Sequence, residues 1–515
     1  MALRERNAFF ALLVILIIAT VLRTYQLERI PPGLYPDEAM NGVNTLQALG
    51  SGDFKIYYAD NNGREGLFIN IQAFVLKSLG GVTEPWVLRL PSALIGILTV
   101  WGTYLLGKEL FSKRVGLAAS FFLATSFWHL VFSRIGFRAI MAPFFLVWAL
   151  YLLHLAVRKA SEKSPGFIFP AIAGGLLFGL GFHTYIAYRV APLLLALFWW
   201  FFRKNDWFWY ATLIFLGAAF LAGLPIGLYY LQNPADFLGR TSQISVWSSP
   251  SPLRDLTVNT LKTAGMFNFR GDFNWRHNFP GRAELFWPVG ILFLAGICVG
   301  LRNVFRRTGG GIVPMDHGPT FENWETVRNL RFGFLLMFAW LILALLPVII
   351  SNEGLPHALR AILMIPPVMI LAGTGAVWTY NYLRRHTRDS AVLPIAATLL
   401  ALLIIYQVSQ VYFIMWGRNP HTAGAFAKDY ADIARTLNRL PQQVPKYVVV
   451  EAGGVGVDYQ NAFLPNRKSI PVPAMTVMFM TDTYFPEDQR AKNMHYLLPE
   501  DVPNAADEGL RFYVR

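Results

Sequence analysis

The sequence contains very little cysteine and little charge. One cysteine, Cys298, occurs among 515 residues and lies in an apolar run, so an intramolecular disulfide and a Cys-based zinc site are both excluded. Asp, Glu, Lys and Arg together make up 15% of the residues, whereas soluble domains contain about 25%. Hydrophobic residues make up 54%, and the mean hydropathy is +0.40. This composition predicts an integral membrane protein.

Motifs for nucleotide chemistry are also missing. The sequence has no Walker motif and no Gly-rich phosphate loop after a strand. The formal net charge of +14 would suggest nucleic acid in a soluble protein, but membrane proteins gather basic residues in cytoplasmic loops and at lipid headgroups. His129 and His183 have no partner at metal-ligand spacing, which favours structural roles. We therefore predict no nucleic-acid partner and no definite cofactor, with a divalent cation left open.

Long apolar segments dominate the sequence. A helix needs about 20 apolar residues to cross a bilayer core of about 30 Å, and about eleven segments meet this requirement. Strands of a membrane barrel would alternate in hydrophobicity, which these segments do not, so we expect helices. The segment from Met1 to Tyr25 has no small-residue cleavage site after it and is interpreted as an uncleaved first span. The segments are centred near Val14, Ile97, Phe122, Leu146, Leu176, Leu195, Leu216, Leu294, Met337, Met369 and Leu402.

The Lys and Arg distribution predicts the orientation. If the N-terminus is cytoplasmic, the inside connections are basic, as the positive-inside rule requires. They include Arg4 and Arg6, Lys108 with Lys113 and Arg114, Arg158 with Lys159 and Lys163, and Arg203 with Lys204. An odd number of spans then places the C-terminus outside. We expect a multi-pass protein of the cytoplasmic (inner) membrane, with a transmembrane domain over residues 1–416 and a small extracytoplasmic domain over residues 417–515.

The two terminal outer segments have recognisable local patterns. In the first outer loop, "DEAMNGVNTLQALGSG" and "GLFINIQAFVLKSLGG" are amphipathic and end in glycine, which predicts two helices lying on the membrane surface. The C-terminal segment has the helical pattern "AGAFAKDYADIARTLNRL" and strand-like "KYVVVEAGG", "MHYLLP" and "RFYVR". Alternating helix and strand predicts a small outer α/β domain.

Asp37 and Glu38 lie side by side where the first outer loop begins. Two interpretations remain open. The acids could stabilise the positive end of a helix dipole, or they could form a reaction centre, because neighbouring carboxylates raise the pKa of one and suit it to accept a proton. Asp60, Arg64 and Glu65 in the same loop are candidates for binding an acceptor or a sugar.

Three further groups of outer residues are candidates. Arg360 enters a late helix beside His357, and its guanidinium suits either bidentate phosphate binding or snorkelling at the interface. Arg138, with Arg134, departs from the positive-inside pattern and suits an anionic ligand. "RGDFNWRHNFPGRAELFWP" places Asp272, Asn274 and His277 among aromatic residues, a mixture that favours sugar binding or loop anchoring.

Several stretches together resemble a known family. "YPDEAMNG", "GREGLFINIQAFVLKSLGG", "WVLRLPSALIGILTVWGTYLLGKELF", "GLAASFFLATS" and "LPHALRAILMIPP" are similar to the GT-C integral-membrane glycosyltransferases, in particular the protein O-mannosyltransferases and the lipid A aminoarabinose transferases. The resemblance is strongest over roughly the first 190 residues. It implies a helical polytopic membrane fold of GT-C type, with about eleven spans. One departure is "FRAIMAP", where many relatives carry an acid.

The resemblance also implies an activity. Family members take a sugar from a polyprenyl-phosphate lipid and transfer it outside the cytoplasm without a nucleotide. Their catalytic acidic pair corresponds to Asp37 and Glu38, which implies that Asp37 deprotonates or orients the acceptor hydroxyl and that Glu38 assists. Their phosphate-associated arginine corresponds to Arg360. We therefore expect an inverting transferase that uses a polyprenyl-phosphate-linked sugar donor and an extracytoplasmic acceptor, with Arg138 and His357 assisting at the phosphate. The alternatives are a transporter or flippase of lipid-linked sugars and a structural membrane scaffold.

Overall fold

The computed structural model describes residues 2–237, 245–305, 324–387, 391–504 and 509–515. The chain forms two compact units, which are described separately. Unit 1 comprises Met1–Tyr25, Ala93–Ser133 and Ala139–Tyr412, and unit 2 comprises Gln26–Ser92, Arg134–Arg138 and Phe413–Arg515. Unit 2 thus contains the whole first predicted outer loop, residues 26–85, as well as the C-terminal segment. The predicted domain boundary after residue 416 stays a prediction.

Unit 1 is built almost entirely from helices. Its α-helices are α1 (Ala2–Thr24), most of α4 (Pro85–Leu110), α5 (Lys113–Ala124), α6 (Phe127–Phe132), α7 (Met141–Ser161), α8 (Ile168–Leu180), α9 (Leu195–Phe202), α10 (Asp206–Gln232), α11 (Pro252–Gly265), α12 (Trp287–Phe305), α13 (Trp324–Ile349), α14 (Ile365–His386) and α15 (Val392–Ser409). Single 3₁₀ turns connect several of them: Pro165–Phe167, Gly181–His183, Val246–Ser248 and Ile362–Met364. A longer 3₁₀ segment, Ile186–Leu194, precedes α9, and a π-helical segment, Gln410–Trp416, follows α15. This mostly helical architecture confirms the predicted fold class.

Nine helical segments in the described part of the chain are long and apolar enough to cross a membrane. They are Arg6–Thr24, Pro85–Leu110, Arg138–Ser161, Pro165–His183, Asp206–Gln232, Trp287–Phe305, Leu330–Ile349, Ile362–His386 and Val392–Trp416. Each contains or overlaps one of the predicted centres. The total of eleven stays a prediction, because the segments near Phe122 and Leu195 form shorter helices.

Local capping explains one of these shorter segments. The helix α5 begins after Ser112, whose side chain accepts a hydrogen bond from the backbone N–H of Val115. It ends at Ala124, because Ser126 has an extended backbone and its hydroxyl accepts a hydrogen bond from the N–H of His129. A serine in that role starts a new helix rather than continuing the old one. The apolar run therefore divides into α5 and α6. The other shorter segment, Ile186–Phe202, is 3₁₀ in its first half.

Unit 2 combines helices with short strands. Its elements are α2 (Pro36–Ser51), β1 (Tyr57–Tyr58), β2 (Arg64–Glu65), α3 (Leu67–Ser78), the 3₁₀ turn that begins at Arg138, α16 (Pro420–Ala425), α17 (Lys428–Arg439), β3 (Lys446–Val450), β4 (Gly456–Asp458), β5 (Ser469–Pro471), α18 (Ala474–Thr481), α19 (Pro486–Ala491), β6 (Met494–Leu497), the 3₁₀ segment Pro499–Asn504 and β7 (Leu510–Val514). The central strand β3 pairs in parallel with β6 and β7. The predicted C-terminal helix and strands are thus present.

The two helices predicted in the first outer loop are α2 and α3, and α2 is more buried than a surface helix would be. Its Met40 and Val43 share a hydrophobic core with Met478 and Phe479 of α18. Gly42 permits this packing, since a Cβ there would lie 2.5 Å from the ring of Phe479. A position on the membrane surface stays a prediction, but within unit 2 the helix α2 is an interior element that fixes where its first turn lies.

Candidate active site

The first turn of α2 contains both predicted catalytic acids. Pro36 begins the helix with its fixed φ, and Asp37 and Glu38 follow at the positive end of the helix dipole. Successive helical residues point about 100° apart, and here the two side chains differ sharply in exposure. The Glu38 side chain is fully buried, whereas 37% of the Asp37 side chain is exposed. The two acids therefore have different roles available to them.

Glu38 holds three segments of unit 2 together. Both of its carboxylate oxygens accept hydrogen bonds from Arg89, at 3.0 Å from Nε and 3.0 Å from Nη2. Its Oε1 atom also accepts the backbone N–H of Gly136 at 2.6 Å. The same buried guanidinium donates to the carbonyls of Pro31 and Gly33 at 2.7 and 2.8 Å. This bidentate, fully buried pair is suited to positioning the start of α2.

Asp37 is held by neutral and cationic donors at the surface of unit 2. Its Oδ1 atom accepts Asn61 Nδ2 at 2.5 Å and Arg64 Nη2 at 3.0 Å. Arg64 Nη1 donates to the Asp37 carbonyl at 3.0 Å and to Asn41 Oδ1 at 2.7 Å. A carboxylate that is both partly exposed and fixed in direction can act on a bound hydroxyl group.

A tight turn delivers Asn61 and Arg64 to Asp37. Residues Asn61, Asn62 and Gly63 have φ angles of 49°, 66° and 76°, and they connect the paired strands β1 and β2. Asparagine tolerates this left-handed region better than most residues. At Gly63 a Cβ would lie 1.9 Å from the Tyr57 hydroxyl oxygen, so a side chain cannot be accommodated. The local sequence "DNNGRE" therefore specifies the turn that positions both donors.

The other predicted residues of this loop are paired as well. Glu65 Oε2 accepts Arg138 Nε at 2.5 Å, and both side chains are largely buried. Asp60 Oδ2 accepts Asn44 Nδ2 at 2.8 Å. All six predicted residues of unit 2 thus lie on α2, on the β1–β2 hairpin or just before α7: Asp37, Glu38, Asp60, Arg64, Glu65 and Arg138. Arg134, by contrast, is fully buried and donates to the Ile30 carbonyl at 2.8 Å.

A second cluster lies in unit 1. Asp272 Oδ2 accepts the backbone N–H of Ala358 at 2.8 Å and lies 3.1 Å from His277 Nδ1 and 3.9 Å from His357 Nδ1. The two imidazole rings are 4.9 Å apart. Asn274 stabilises the same loop, because its N–H donates to Asp272 Oδ1 at 2.8 Å. The structure thus brings together the predicted residues of two separate loops.

Burial and neighbouring charge determine the ionisation of this cluster. Burial lowers the pKa of His277. Burial also lowers the pKa of His357, and together with the neighbouring His277 and Arg360 it brings that pKa to about 3. Burial, the largest single effect, would raise the pKa of Asp272, but the hydrogen bonds from His277 and the Asn274 N–H and the charges of His277 and His357 together lower it. Two neutral imidazoles therefore face one carboxylate. Nearby, burial raises the pKa of Glu284 well above its usual range.

The chemistry of this cluster suits a metal ion. One ligand atom from each of Asp272, His277 and His357 lies within 4.8 Å of the others. Imidazole with carboxylate is a donor set found in zinc sites, and unprotonated nitrogens are required for binding. The arrangement as it stands is a hydrogen-bonded network, since the carboxylate already accepts the Ala358 N–H. The residues present therefore fit a divalent cation, provided that the Asp272–His277 hydrogen bond is exchanged for coordination.

Arg360 is paired on its own turn of chain. Its Nη2 atom donates to Glu353 Oε2 at 2.9 Å, and its Nη1 atom donates to the Glu353 carbonyl at 2.8 Å and to the Ser351 hydroxyl. The Arg360 side chain is 13% exposed, but that of Glu353 is 69% exposed. An exposed carboxylate is a weak partner, so an anion of higher charge could replace it.

Sequence reasoning missed the partners of these residues. Arg89 lies in "WVLRLPSAL", and an arginine in an apolar helix is costly unless paired, which indicates a buried partner. Asn61 belongs to "DNNG", a turn signal that could also have been used. Glu353 and the Gly136 N–H left no signal in the sequence, since their roles depend on how the chain folds.

Comparison with known proteins identifies the fold. A family model described as dolichyl-phosphate-mannose-protein mannosyltransferase matches residues 68–225. A search of curated protein sequences found no match. Among solved structures, the oligosaccharyltransferase AglB from Archaeoglobus fulgidus, in complex with an inhibitory peptide and a dolichol-phosphate, is 14% identical with a TM-score of 0.52. That alignment covers 94% of this chain and 64% of AglB, so the chain spans less than two thirds of that protein.

Further solved structures agree with this result. ArnT from Cupriavidus metallidurans, bound to undecaprenyl phosphate, is 15% identical with a TM-score of 0.52 over 93% of this chain and 85% of ArnT. A structure of AglB in complex with Zn and sulfate is 13% identical with a TM-score of 0.53, over 95% of this chain and 62% of AglB. Identities this low establish the fold alone. The chain therefore has the multi-pass membrane fold of the GT-C glycosyltransferases, as its sequence resemblance predicts.

Proposed function

We propose that the protein is an inverting glycosyltransferase that moves a hexose or pentose from a polyprenyl-phosphate-type carrier to an acceptor outside the cytoplasm. The observation that carries this proposal is the Asp37 carboxylate, partly exposed and fixed by Asn61 and Arg64, in a chain of GT-C fold. The acceptor is a protein, a lipid or a glycan.

In the proposed orientation the N-terminus is cytoplasmic and the C-terminal segment is extracytoplasmic. Labelling single cysteines at Lys204 and Gly454 with an impermeant reagent tests this, since only Gly454 should react.

The proposed reaction is a single displacement at the anomeric carbon of the sugar. An acceptor hydroxyl oxygen forms the new bond to that carbon, and the bond from the carbon to the carrier phosphate oxygen breaks. The electron pair of that bond leaves with the polyprenyl phosphate, and the hydroxyl proton goes to Asp37. Because attack and departure occur on opposite sides, the configuration inverts. Glu38 is assigned a positioning role, since its carboxylate is buried against Arg89.

Arg360 is proposed to bind the leaving phosphate. A guanidinium offers two parallel donors to a phosphate, which makes a bidentate contact. The exposed Glu353 occupies these donors in the structure, so the phosphate would displace a side chain rather than an interior group. His357 is proposed to support the turn, because its Nδ1 atom accepts the Arg360 N–H at 3.4 Å. Arg138 is a second candidate for the phosphate, which would have to compete with Glu65.

Substitutions at the Arg360–Glu353 pair should have opposite effects on donor use. Arg360→Ala should lower kcat/KM for a lipid-linked sugar by roughly 100-fold to 1,000-fold. This is the usual effect of removing one hydrogen-bond donor that stabilises the charge developing in the transition state. Arg360→Lys should recover only part of this loss, because an ammonium lacks the planar fork. Glu353→Gln should lower the donor KM about twofold to fivefold, since an exposed pair is worth up to about 1 kcal/mol.

The matched control for the pair is Glu451→Gln. Glu451 contacts the exposed Arg515 at 2.8 Å and should not affect donor use. Full activity of both Arg360 variants, or a higher donor KM in Glu353→Gln, would remove Arg360 from the donor site.

We further propose that Asp272, His277 and His357 hold one divalent transition-metal ion. Such an ion would supply positive charge near the loop that carries Arg360. After chelation and dialysis, the purified protein should take up about one equivalent of Zn²⁺ or Mn²⁺ per chain, measured by elemental analysis. His277→Gln with His357→Gln should abolish this uptake, whereas His386→Gln on α14 should not. Equal uptake by the double variant, or none by the parent, would leave the cluster as a hydrogen-bonded network only.

A further inference from the structure

A large polar cleft opens in the C-terminal part of unit 2. Its volume is about 870 Å³, near the upper end of the range of about 300–1,000 Å³ that is common for ligand sites. Its walls include the loop between β4 and β5, the start of α19 and Gln47 of α2. A cleft of this size has room for a ligand of several rings.

Aromatic and amide groups line the cleft together. Tyr459 and Tyr484 are largely buried, and burial raises the pKa of each hydroxyl to about 12. Both phenols keep their protons at neutral pH, and Tyr484 donates its own to the Asp458 carbonyl at 3.3 Å. Asn461 is fixed in place, because its Nδ2 atom donates to the Tyr459 hydroxyl at 2.6 Å and to the Tyr496 carbonyl at 2.9 Å. These buried groups form a fixed wall, beside which the exposed Gln460 amide and the partly exposed Phe485 ring suit the hydroxyl groups and flat faces of sugars.

The lining also carries an excess of positive charge. Arg467, Lys468 and Arg490 line the cleft, whereas Asp458 is the one acid there. Arg467 is held by Asp501 at 2.6 Å and by Glu500 at 3.2 Å, so the excess of positive charge comes from Lys468 and Arg490. Lys468 and Arg490 are exposed to solvent at the cleft. Cations gathered in a concave site attract anionic ligands.

The helix α2 connects the cleft to Asp37. Gln47, which lines the cleft, donates from Nε2 to the Tyr484 hydroxyl at 2.6 Å. Asn44 donates both to Gln47 Oε1 at 3.0 Å and to Asp60 Oδ2 at 2.8 Å. Ten residues separate Asp37 from Gln47, so about 15 Å of helix lies between them. A ligand that occupies the cleft and presents a hydroxyl to Asp37 must therefore span about 15 Å, a length that a chain of several sugars provides.

We propose that this cleft binds the acceptor, and that the acceptor is an oligosaccharide carrying anionic groups, either carboxylates or phosphates. The inference rests on the proposed function and names its acceptor class. The bonds that form and break are those of the displacement described above, and the hydroxyl comes from the bound oligosaccharide. The cleft contributes affinity and direction, while Asp37 acts on the reacting group.

Calorimetric titration of the full-length protein tests this inference. The probes are trigalacturonate, maltotriose phosphate and the neutral trisaccharide maltotriose. At least one anionic probe should bind at least tenfold more tightly than maltotriose. Lys468→Gln with Arg490→Gln should weaken that binding at least tenfold without changing thermal stability. The matched control is Arg439→Gln, an exposed arginine at the end of α17, which should bind like the parent.

The outcomes separate this inference from the proposed function. If maltotriose binds as tightly as both anionic probes, the ligand class is wrong. If no probe binds, or the double variant binds like the parent, the cleft is not the acceptor site. Either result can occur while a lipid-linked donor is still cleaved, in which case the proposed function stands. If an anionic probe binds in the cleft but no lipid-linked donor is cleaved, the proposed function fails alone.

Discussion

Asp37→Asn should lower the rate of sugar transfer by roughly two to four orders of magnitude, the usual worth of general acid–base catalysis. Asparagine keeps the size of the side chain and can still accept hydrogen bonds from Asn61 and Arg64. It cannot take a proton from an acceptor hydroxyl. The measurement is transfer from a lipid-linked donor by purified protein, with the melting temperature in detergent as the control.

Thermal stability distinguishes this loss from misfolding. Asparagine is also a good residue near a helix start, so an Asp37 that serves only to start the helix predicts almost no change in either quantity. A near-parental transfer rate in Asp37→Asn would move the search for the catalytic group to Asp60 or Glu65. If rate and stability fall together, Asp37 has a structural role and the assignment as base is not supported.

Glu38→Gln should lower the free energy of unfolding by about 3–5 kcal/mol, because it leaves the buried Arg89 guanidinium without its counter-charge. Thermal or denaturant unfolding in detergent measures this effect. The matched control is Glu451→Gln, whose partner Arg515 is exposed, and the expected loss there is at most about 1 kcal/mol. Asp37→Asn serves as a second control within the same helical turn.

A double-mutant cycle sharpens the result. The double variant Glu38→Leu with Arg89→Met removes both buried charges. Its loss of unfolding free energy should therefore be smaller than the sum of the losses in the single variants Glu38→Leu and Arg89→Met. Additive losses, or a Glu38→Gln variant as stable as the parent, would contradict the positioning role.

The helical membrane fold could be predicted from the sequence, because the length of an apolar run and the signals that begin and end a helix are local properties of the chain. The apolar runs near Leu146 and Met369 became long helices since each satisfies its own backbone hydrogen bonds. The segment near Phe122 is shorter than predicted because Ser126 caps a new helix. That interruption depends on one side chain, which a count of apolar residues does not register.

The candidate site could be predicted only in part. Asp37 and Glu38 are equivalent in the sequence, yet one is partly exposed and the other lies against Arg89, which comes 51 residues later. Asp272 and His357 meet although 85 residues separate them, because the Ala358 N–H binds the same carboxylate. Such pairings depend on tertiary packing. The resemblance in the sequence indicated which residues to examine, while their partners had to come from the structure.

The central claim is tested most directly by supplying the purified protein, in bilayer discs, with an isotopically labelled polyprenyl-phosphate-linked sugar and an acceptor-containing envelope extract. We expect free polyprenyl phosphate to appear together with a labelled glycoside of inverted anomeric configuration, and we expect neither product with Asp37→Asn. A labelled donor that crosses the membrane of sealed vesicles but is recovered intact would instead indicate a flippase. That result, or transfer from a nucleotide sugar alone, would contradict the proposed function.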